Sequence, residues 1–142
     1  MIKILFVCHG NICRSPMAEF ILKDLAARAG AADRFEIASA AVSREEIGNP
    51  VYPPARRELA KHGISCGRKT ARQITEADLK YYDRIYYMDA SNGWYLRRMF
   101  PDCGKCRPLL KRDVADPWYT GDFQQTWADI LEGCEHILKE LL

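Results

Sequence analysis

The chain has 142 residues, enough for one domain with a sizeable core. It is 48% hydrophobic and 28% charged, which excludes a disordered chain, and no apolar run approaches the ~18 residues of a membrane span. A net charge of +2 gives no basis for nucleic-acid binding, and the six cysteines read as thiols of a cytoplasmic protein rather than as a disulfide framework.

The chain opens on Ile2-Lys3-Ile4-Leu5-Phe6-Val7, an apolar, β-branched stretch of strand length. It stops too early for a secretory signal core, so a cytoplasmic location is expected. The loop Val7-Cys8-His9-Gly10-Asn11-Ile12-Cys13-Arg14-Ser15-Pro16 follows. A helical pattern then runs from about Pro16 to Ala29, with Met17, Ile21, Leu22 and Leu25 on one face and a stop at Gly30. Strand, tight loop and helix start turn backbone N–H groups toward a common centre. The helix dipole adds positive charge there, so the loop favours an anion.

Two reactive side chains bracket this loop, with five residues between them. A thiol beside a helix N-terminus and a guanidinium is acidified, to about 3.5–7.5 against about 8.5 when free. Cys8 is therefore a candidate thiolate nucleophile, and Arg14 offers a planar fork matched to two phosphate oxygens. Ser15 places a hydroxyl next to Arg14 that can donate to the Cys8 sulfur. Gly10 and Asn11 tolerate a positive φ in a tight loop. The loop has neither Gly-Lys-Ser/Thr nor Gly-x-Gly-x-x-Gly, so it is not a nucleotide cradle. A nucleophile and an oxyanion cradle together point to displacement at phosphorus through a cysteinyl-phosphate.

Phe35-Glu36-Ile37-Ala38-Ser39 alternates with period two and reads as a strand, with Ser39-Ala40-Ala41 at its end near the first loop. Val42 to Pro54 is a poorly periodic loop beside the site. A helix follows from about Pro54 to His62, ending at Gly63, with His62 read as a C-terminal cap rather than a catalyst. Thr75 caps a short helix with Asp78 in capping-box position. Asp83 to Met88 reads as a third strand, and Ser91 as the cap of a helix through about Met99. Cys103-Gly104-Lys105-Cys106 lies in the next loop. A structural zinc wants four ligands and no second pair exists, so these read as plain loop thiols. Arg107-Pro108-Leu109-Leu110 is a short fourth strand. The last helix carries Phe123, Trp127, Ile130, Leu131, Cys134, Ile137, Leu138 and Leu141 at three- and four-residue spacing, with Asp122 as N-cap. Strands alternating with helices imply a doubly wound parallel sheet, whose ligands bind at the carboxyl ends of its strands.

Between the fourth strand and the last helix lies Asp116-Pro117-Trp118-Tyr119. Pro117 restricts Asp116 to extended conformations. A leaving alkoxide or phenoxide needs a proton, and a carboxylic acid in a partly apolar loop can supply it. In a second step the carboxylate can activate water.

These motifs resemble the low-molecular-weight protein tyrosine phosphatases. The most specific matches are Val7 to Glu19 and Asp116-Pro117-Trp118-Tyr119. Ser39-Ala40, Ala71-Arg72-Gln73, Met88-Asp89 and Ser91-Asn92 support them, so the likeness spans nearly the whole chain. It implies one domain over residues 1–142, an α/β fold with a four-stranded parallel sheet in the flavodoxin-like order 2-1-3-4, no metal and no cofactor. It implies Cys8 as nucleophile, Arg14 as phosphate clamp and Asp116 as general acid and base. His9, Gly10, Asn11, Ile12, Cys13, Arg14 and Ser15 would bind the phosphate. Asn11, Ser15 and Ser39 would hold the loop in shape, with Ser15 favouring the Cys8 thiolate, and Cys13 would be a reversible disulfide partner of Cys8. The expected substrates are phosphotyrosine-containing proteins, with no nucleic acid or membrane partner, and the expected state is a monomer or weak dimer.

Two departures stand out. His9 replaces the apolar residue usual after the nucleophile, and Glu45 or Glu46 stands where an aromatic residue usually faces the pocket. Trp118 and Tyr119 would form one wall of a deep pocket that selects aryl phosphates over phosphoserine. An alternative on the same fold is a thioredoxin-coupled arsenate reductase. That relay needs two further cysteines after the third strand, where Met88-Asp89-Ala90 stands instead. A phosphate-recognition module without turnover would need neither Cys8 nor Asp116.

Overall fold

The computed structural model describes residues 1–142. Strand β1 (Ile2–Cys8) leads through the first loop into helix α1 (Arg14–Arg28). There follow β2 (Phe35–Ala41), α2 (Pro53–Lys61), α3 (Glu76–Tyr81), β3 (Arg84–Tyr87), α4 (Ala90–Met99), β4 (Cys106–Pro108), α5 (Pro117–Thr120) and α6 (Phe123–Leu141). The four strands form one sheet in the order β2-β1-β3-β4, every pair parallel. This is the doubly wound single domain that the alternation of elements predicts.

The central strand explains why its sequence is an unbroken apolar run. Ile4, Leu5, Phe6 and Val7 are all fully buried. Ile4 and Phe6 pack with Met17, Ile21 and Leu22 of α1 and Ile130 and Cys134 of α6. Leu5 and Val7 point to the other face, against Ile74, Ile85 and Leu96. Helices cover both faces, so both sets of alternating side chains leave water. Each such side chain contributes roughly 1.5–3 kcal/mol of burial.

The outer strand β2 pairs with β1 in register from Ile2–Phe35 to Cys8–Ala41, two residues beyond the expected Ser39. Helix α6 lays its stripe on the core, and Asp122 caps it by accepting a hydrogen bond from Gln125 N at 2.9 Å. Thr75 and Asp78 form the expected capping box on α3. His62 ends α2 as expected, and its ring stacks on Trp127 at 3.6 Å between centroids while bonding the buried Glu58.

Four expectations are corrected. Helix α1 begins at Arg14 rather than Pro16, because the first turn starts inside the anion loop. Helix α4 is capped by Asp89, not Ser91: Asp89 Oδ1 accepts from Asn92 N at 2.8 Å, and Asn92 Oδ1 accepts from Asp89 N at 3.2 Å. Strand β4 ends at Pro108, since Leu109 and Leu110 turn into the core. Cys103 and Cys106 are not free loop thiols but a disulfide, the turn after α4 bringing their Cα atoms to 6.0 Å. Cys8, Cys13, Cys66 and Cys134 are free and buried. Short helix α5 was not anticipated, because four residues carry no readable period.

Candidate active site

The first loop sits at the carboxyl end of β1, the central strand, flanked by the ends of β2 and β3. Its carbonyls are turned outward. Cys8 O accepts from Val42 N, His9 O from Ser43 N and Ile12 O from Tyr52 N, at 2.9–3.0 Å. A planar trans peptide points its N–H opposite to its C=O. The N–H groups of His9, Gly10 and Cys13 therefore face the inside of the loop. Asn11 makes this turn possible with φ of 60°, the one non-glycine residue with a positive value. Gly10 serves differently: a Cβ there would stand 3.2 Å from Glu46 Cγ, so glycine lets the Glu46 side chain close over the loop.

Cys8 receives two contacts from the start of α1. Ser15 Oγ lies 3.0 Å from Cys8 Sγ, and Ser15 N donates to the same sulfur at 3.4 Å. Behind them runs a chain of buried hydrogen bonds. Asn11 Nδ2 donates to Ser15 Oγ at 2.7 Å and to Ser39 Oγ at 3.0 Å, while Asn11 Oδ1 accepts from Arg72 N. Ser39 Oγ donates to Glu19 Oε1 at 2.6 Å. A carboxylate only accepts, which fixes Ser39 as a donor and hence the amide orientation of Asn11. Ser15 Oγ accepts from Asn11, and its own proton has the Cys8 sulfur at 3.0 Å and Ala40 O at 3.4 Å within reach. Glu19 is buried and held by Lys23 Nζ at 2.6 Å and Lys69 Nζ at 3.7 Å. Burial pulls the Lys69 ammonium below its ordinary range, although Glu19 opposes that shift.

Arg14 is 2% exposed, and three acceptors meet its Nη atoms. Its Nη1 donates to Asp89 Oδ2 at 2.6 Å and to Val114 O at 2.8 Å, and Nη2 reaches Asp116 Oδ2 at 3.4 Å. Burial works against the guanidinium charge, but Cys8, Asp89 and Asp116 outweigh it and raise its pKa. Asp116 owes its position to α5. It is the N-cap, its Oδ1 accepting from Trp118 N at 3.0 Å, which leaves Oδ2 toward the cleft.

These groups line one cleft of about 150 Å³, with walls from Cys8, His9, Gly10, Ile12, Cys13, Arg14, Glu45, Glu46, Asp116, Trp118 and Tyr119. Asn11, Ser15 and Ser39 lie behind it rather than in it, acting through hydrogen bonds. Burial pushes the Cys13 thiol up, and Cys8, Asp116 and Glu46 add to that shift, so Cys13 stays protonated. His9 Nε2 meets Glu45 Oε2 at 3.1 Å, and its ring lies 5.8 Å from that of Tyr95. Tyr52 supports Trp118 from below at 4.8 Å.

Sequence reasoning missed Asp89 as the partner of Arg14, and Glu19 with Lys69 as the end of the hydrogen-bond chain. A carboxylate closing an apolar strand at the carboxyl edge of the sheet is the signal that pointed to Asp89. Nothing local marked Lys69, which reaches the site from a loop thirty residues beyond Ser39.

The model of the low molecular weight phosphotyrosine protein phosphatase family matches residues 3–142. The chain is 42% identical over 150 residues to the low molecular weight protein-tyrosine-phosphatase YfkJ of Bacillus subtilis, covering 99% of this chain and 96% of that relative. The crystal structure of YfkJ superposes with a TM-score of 0.96 over 99% of this chain and 94% of that one, at 41% identity. The low molecular weight phosphotyrosine protein phosphatase of Rattus norvegicus is 35% identical, covering 97% of this chain and 94% of its own length. The crystal structure of SP-PTP, a low molecular weight protein tyrosine phosphatase from Streptococcus pyogenes, aligns with a TM-score of 0.94 at 37% identity, covering all of this chain and 94% of that one.

Proposed function

The chain belongs to the low molecular weight phosphotyrosine protein phosphatase family, a family of metal-independent phosphoric monoester hydrolases, and from that membership we propose a two-step hydrolysis of protein phosphotyrosine on Cys8. In the first step the Cys8 thiolate attacks phosphorus and the bond to the phenolic oxygen breaks. Asp116 gives its proton to that oxygen. In the second step the Asp116 carboxylate takes a proton from water. The water oxygen attacks phosphorus, the S–P bond breaks, and phosphate and the thiolate are released.

Each residue has a physical reason for its role. Asp89 and Val114 O occupy Arg14 Nη1, while Nη2 has only the long 3.4 Å contact to Asp116, so Nε and Nη2 form the fork for two phosphoryl oxygens. The inward N–H groups of the loop take the charge that develops on the transferring group. Ser15 supports the leaving thiolate of the second step through its hydroxyl and its N–H. Trp118 and Tyr119 flank the aryl ring. Cys13 serves as the disulfide partner of an oxidised Cys8. No helix is long and apolar enough to cross a membrane, and we assign the protein to the cytoplasm as a monomer or weak dimer.

The observation that carries this reading is that Cys8, Arg14 and Asp116 line a single narrow cleft. A thioredoxin-coupled arsenate reductase is disfavoured, since β3 is followed by Met88-Asp89-Ala90, without cysteine, and Cys103 and Cys106 come about fifteen residues later. The test is turnover of p-nitrophenyl phosphate and of a phosphotyrosyl peptide with a metal chelator present, against thioredoxin-dependent arsenate reduction. Chelator-insensitive phosphatase activity lost in Cys8→Ser is expected. Arsenate reduction without phosphatase activity would overturn the reading.

A further inference from the structure

The cleft wall carries charge that phosphate binding does not call for. Glu45 and Glu46 line the cleft, and the only permanently charged cation in its wall is the buried Arg14. Two carboxylates beside an oxyanion pocket repel a free phosphate dianion. They are nonetheless fixed in place. Glu45 Oε2 is held by His9 Nε2 at 3.1 Å, and the Glu45 N–H donates to Ser43 Oγ. Glu46 Oε2 accepts from Asn49 Nδ2 at 2.6 Å, and its stem closes over Gly10. Arg44, exposed beside them, does not line the cleft.

Two aromatic residues line the same cleft and are open to solvent: Trp118 is 53% and Tyr119 84% exposed. Carboxylates and exposed aromatic rings lining one cleft suit an alkylammonium or guanidinium group, through ion pairing and ring faces. With the phosphoryl group at Cys8 and Arg14, and no cation on a phosphotyrosine side chain, a cation at the mouth of a phosphotyrosyl substrate belongs to a neighbouring residue. We infer that Glu45 and Glu46 are specificity-determining residues that select protein substrates with a lysine or arginine directly flanking the phosphotyrosine. His9, in place of the apolar residue usual after the nucleophile, holds Glu45 over the mouth. The inference rests on the phosphotyrosine-phosphatase reading and adds to it which phosphotyrosyl sequences are taken.

The experiment uses the full chain and phosphotyrosyl peptides of one length, differing only in Lys, Gln or Glu on either side of the phosphotyrosine. The quantity read is the ratio of kcat/KM for the Lys and Glu peptides within each protein. An exposed ion pair is worth up to about fivefold, and replacing attraction by repulsion compounds it, so a wild-type ratio of about tenfold is expected at low salt. At 1 M salt, where the Debye length is about 3 Å, the ratio should fall toward one. Glu45→Gln and Glu46→Gln should each lower it at low salt, and the double variant should abolish it. A wild-type ratio near one, or a ratio that the double variant retains, would overturn the inference while leaving phosphotyrosine hydrolysis intact. Turnover of p-nitrophenyl phosphate without turnover of any peptide would overturn the protein-substrate reading and this inference with it.

Discussion

At the scale of the single residue, Asp116 carries the sharpest expectation. Its Oδ1 is spent on capping α5, and its Oδ2 is held only by the long 3.4 Å contact from Arg14 Nη2, so the carboxyl has one position and one oxygen available to the cleft. A proton donor matters most when the leaving group is a poor one. Asp116→Asn should therefore lower kcat/KM by about 10²–10⁴-fold for phenyl phosphate and much less for p-nitrophenyl phosphate. Equal losses on the two esters, in a steady-state comparison, would make Asp116 a structural cap only. Cys13 carries a second expectation. Peroxide is expected to convert the Cys8 thiolate to a sulfenic acid, from which the Cys13 thiol would displace water to give a disulfide before further oxidation. Wild type should regain activity in dithiothreitol after a peroxide pulse, and Cys13→Ser should regain little. Equal recovery of the two proteins, or no Cys8–Cys13 peptide in the digest, would remove that role. That Cys8, Arg14 and Asp116 meet at one cleft was legible in the sequence, because Gly10 and Asn11 mark the tight loop from Cys8 to Arg14 and Pro117 fixes the turn at Asp116. The restraint of Arg14 by Asp89 was not, since 75 residues separate them and only the β1–β3 pairing brings them together.

At the scale of the element, caps and close approaches decide stability. Burial opposes ionisation of Asp78, but Arg72 and the Thr75 N–H outweigh it and hold the carboxyl below the usual range. A folded value below the unfolded one gives stability that is complete above the unfolded value, about 3.9, and is lost as pH falls through the lower folded value. Asp78→Asn should lower stability by about 1 kcal/mol or more at pH 7, the usual size of a lost cap. The gap to wild type should close in acid. Urea midpoints at pH 7 and near pH 3 check this, and a gap that widened in acid would reverse the sign. Gly133 tests packing. A Cβ there would stand 2.5 Å from Leu109 Cγ, where α6 crosses the residue following β4. Alanine gains about 1 kcal/mol of helix propensity, whereas overpacking typically costs 1–3 kcal/mol. A net destabilisation of Gly133→Ala is expected in urea melts, and a stabilised variant would mean that Leu109 moves aside freely. The long elements were readable because β1 and α6 repeat their patterns over several turns or pleats. Helix α5 has four residues and β4 three, too few for any period, and the Cys103–Cys106 bridge depended on a turn that spacing alone does not specify.

At the scale of the whole molecule, the sheet order accounts for the site. Because β1 is central, its carboxyl end is ringed by the loops after β2, β3 and β4. They bring Glu45 and Glu46, then Asp89, then Asp116 to the Cys8 loop. No one of these loops forms an active site. The hydrogen-bond chain from Glu19 through Ser39 and Asn11 to Ser15 ties α1, β2 and the loop into one frame behind the nucleophile. The central claim is that phosphorus passes through the Cys8 sulfur, and trapping that intermediate tests it most directly. Asp116→Ala should form the cysteinyl-phosphate quickly from p-nitrophenyl phosphate and release it slowly, since the base of the second step is gone. Acid quenching within the first turnover, followed by peptide mass spectrometry, should find one phosphoryl group on the peptide carrying Cys8. Continued turnover with no phosphoryl group on that peptide, or with the group on another residue, would contradict the account.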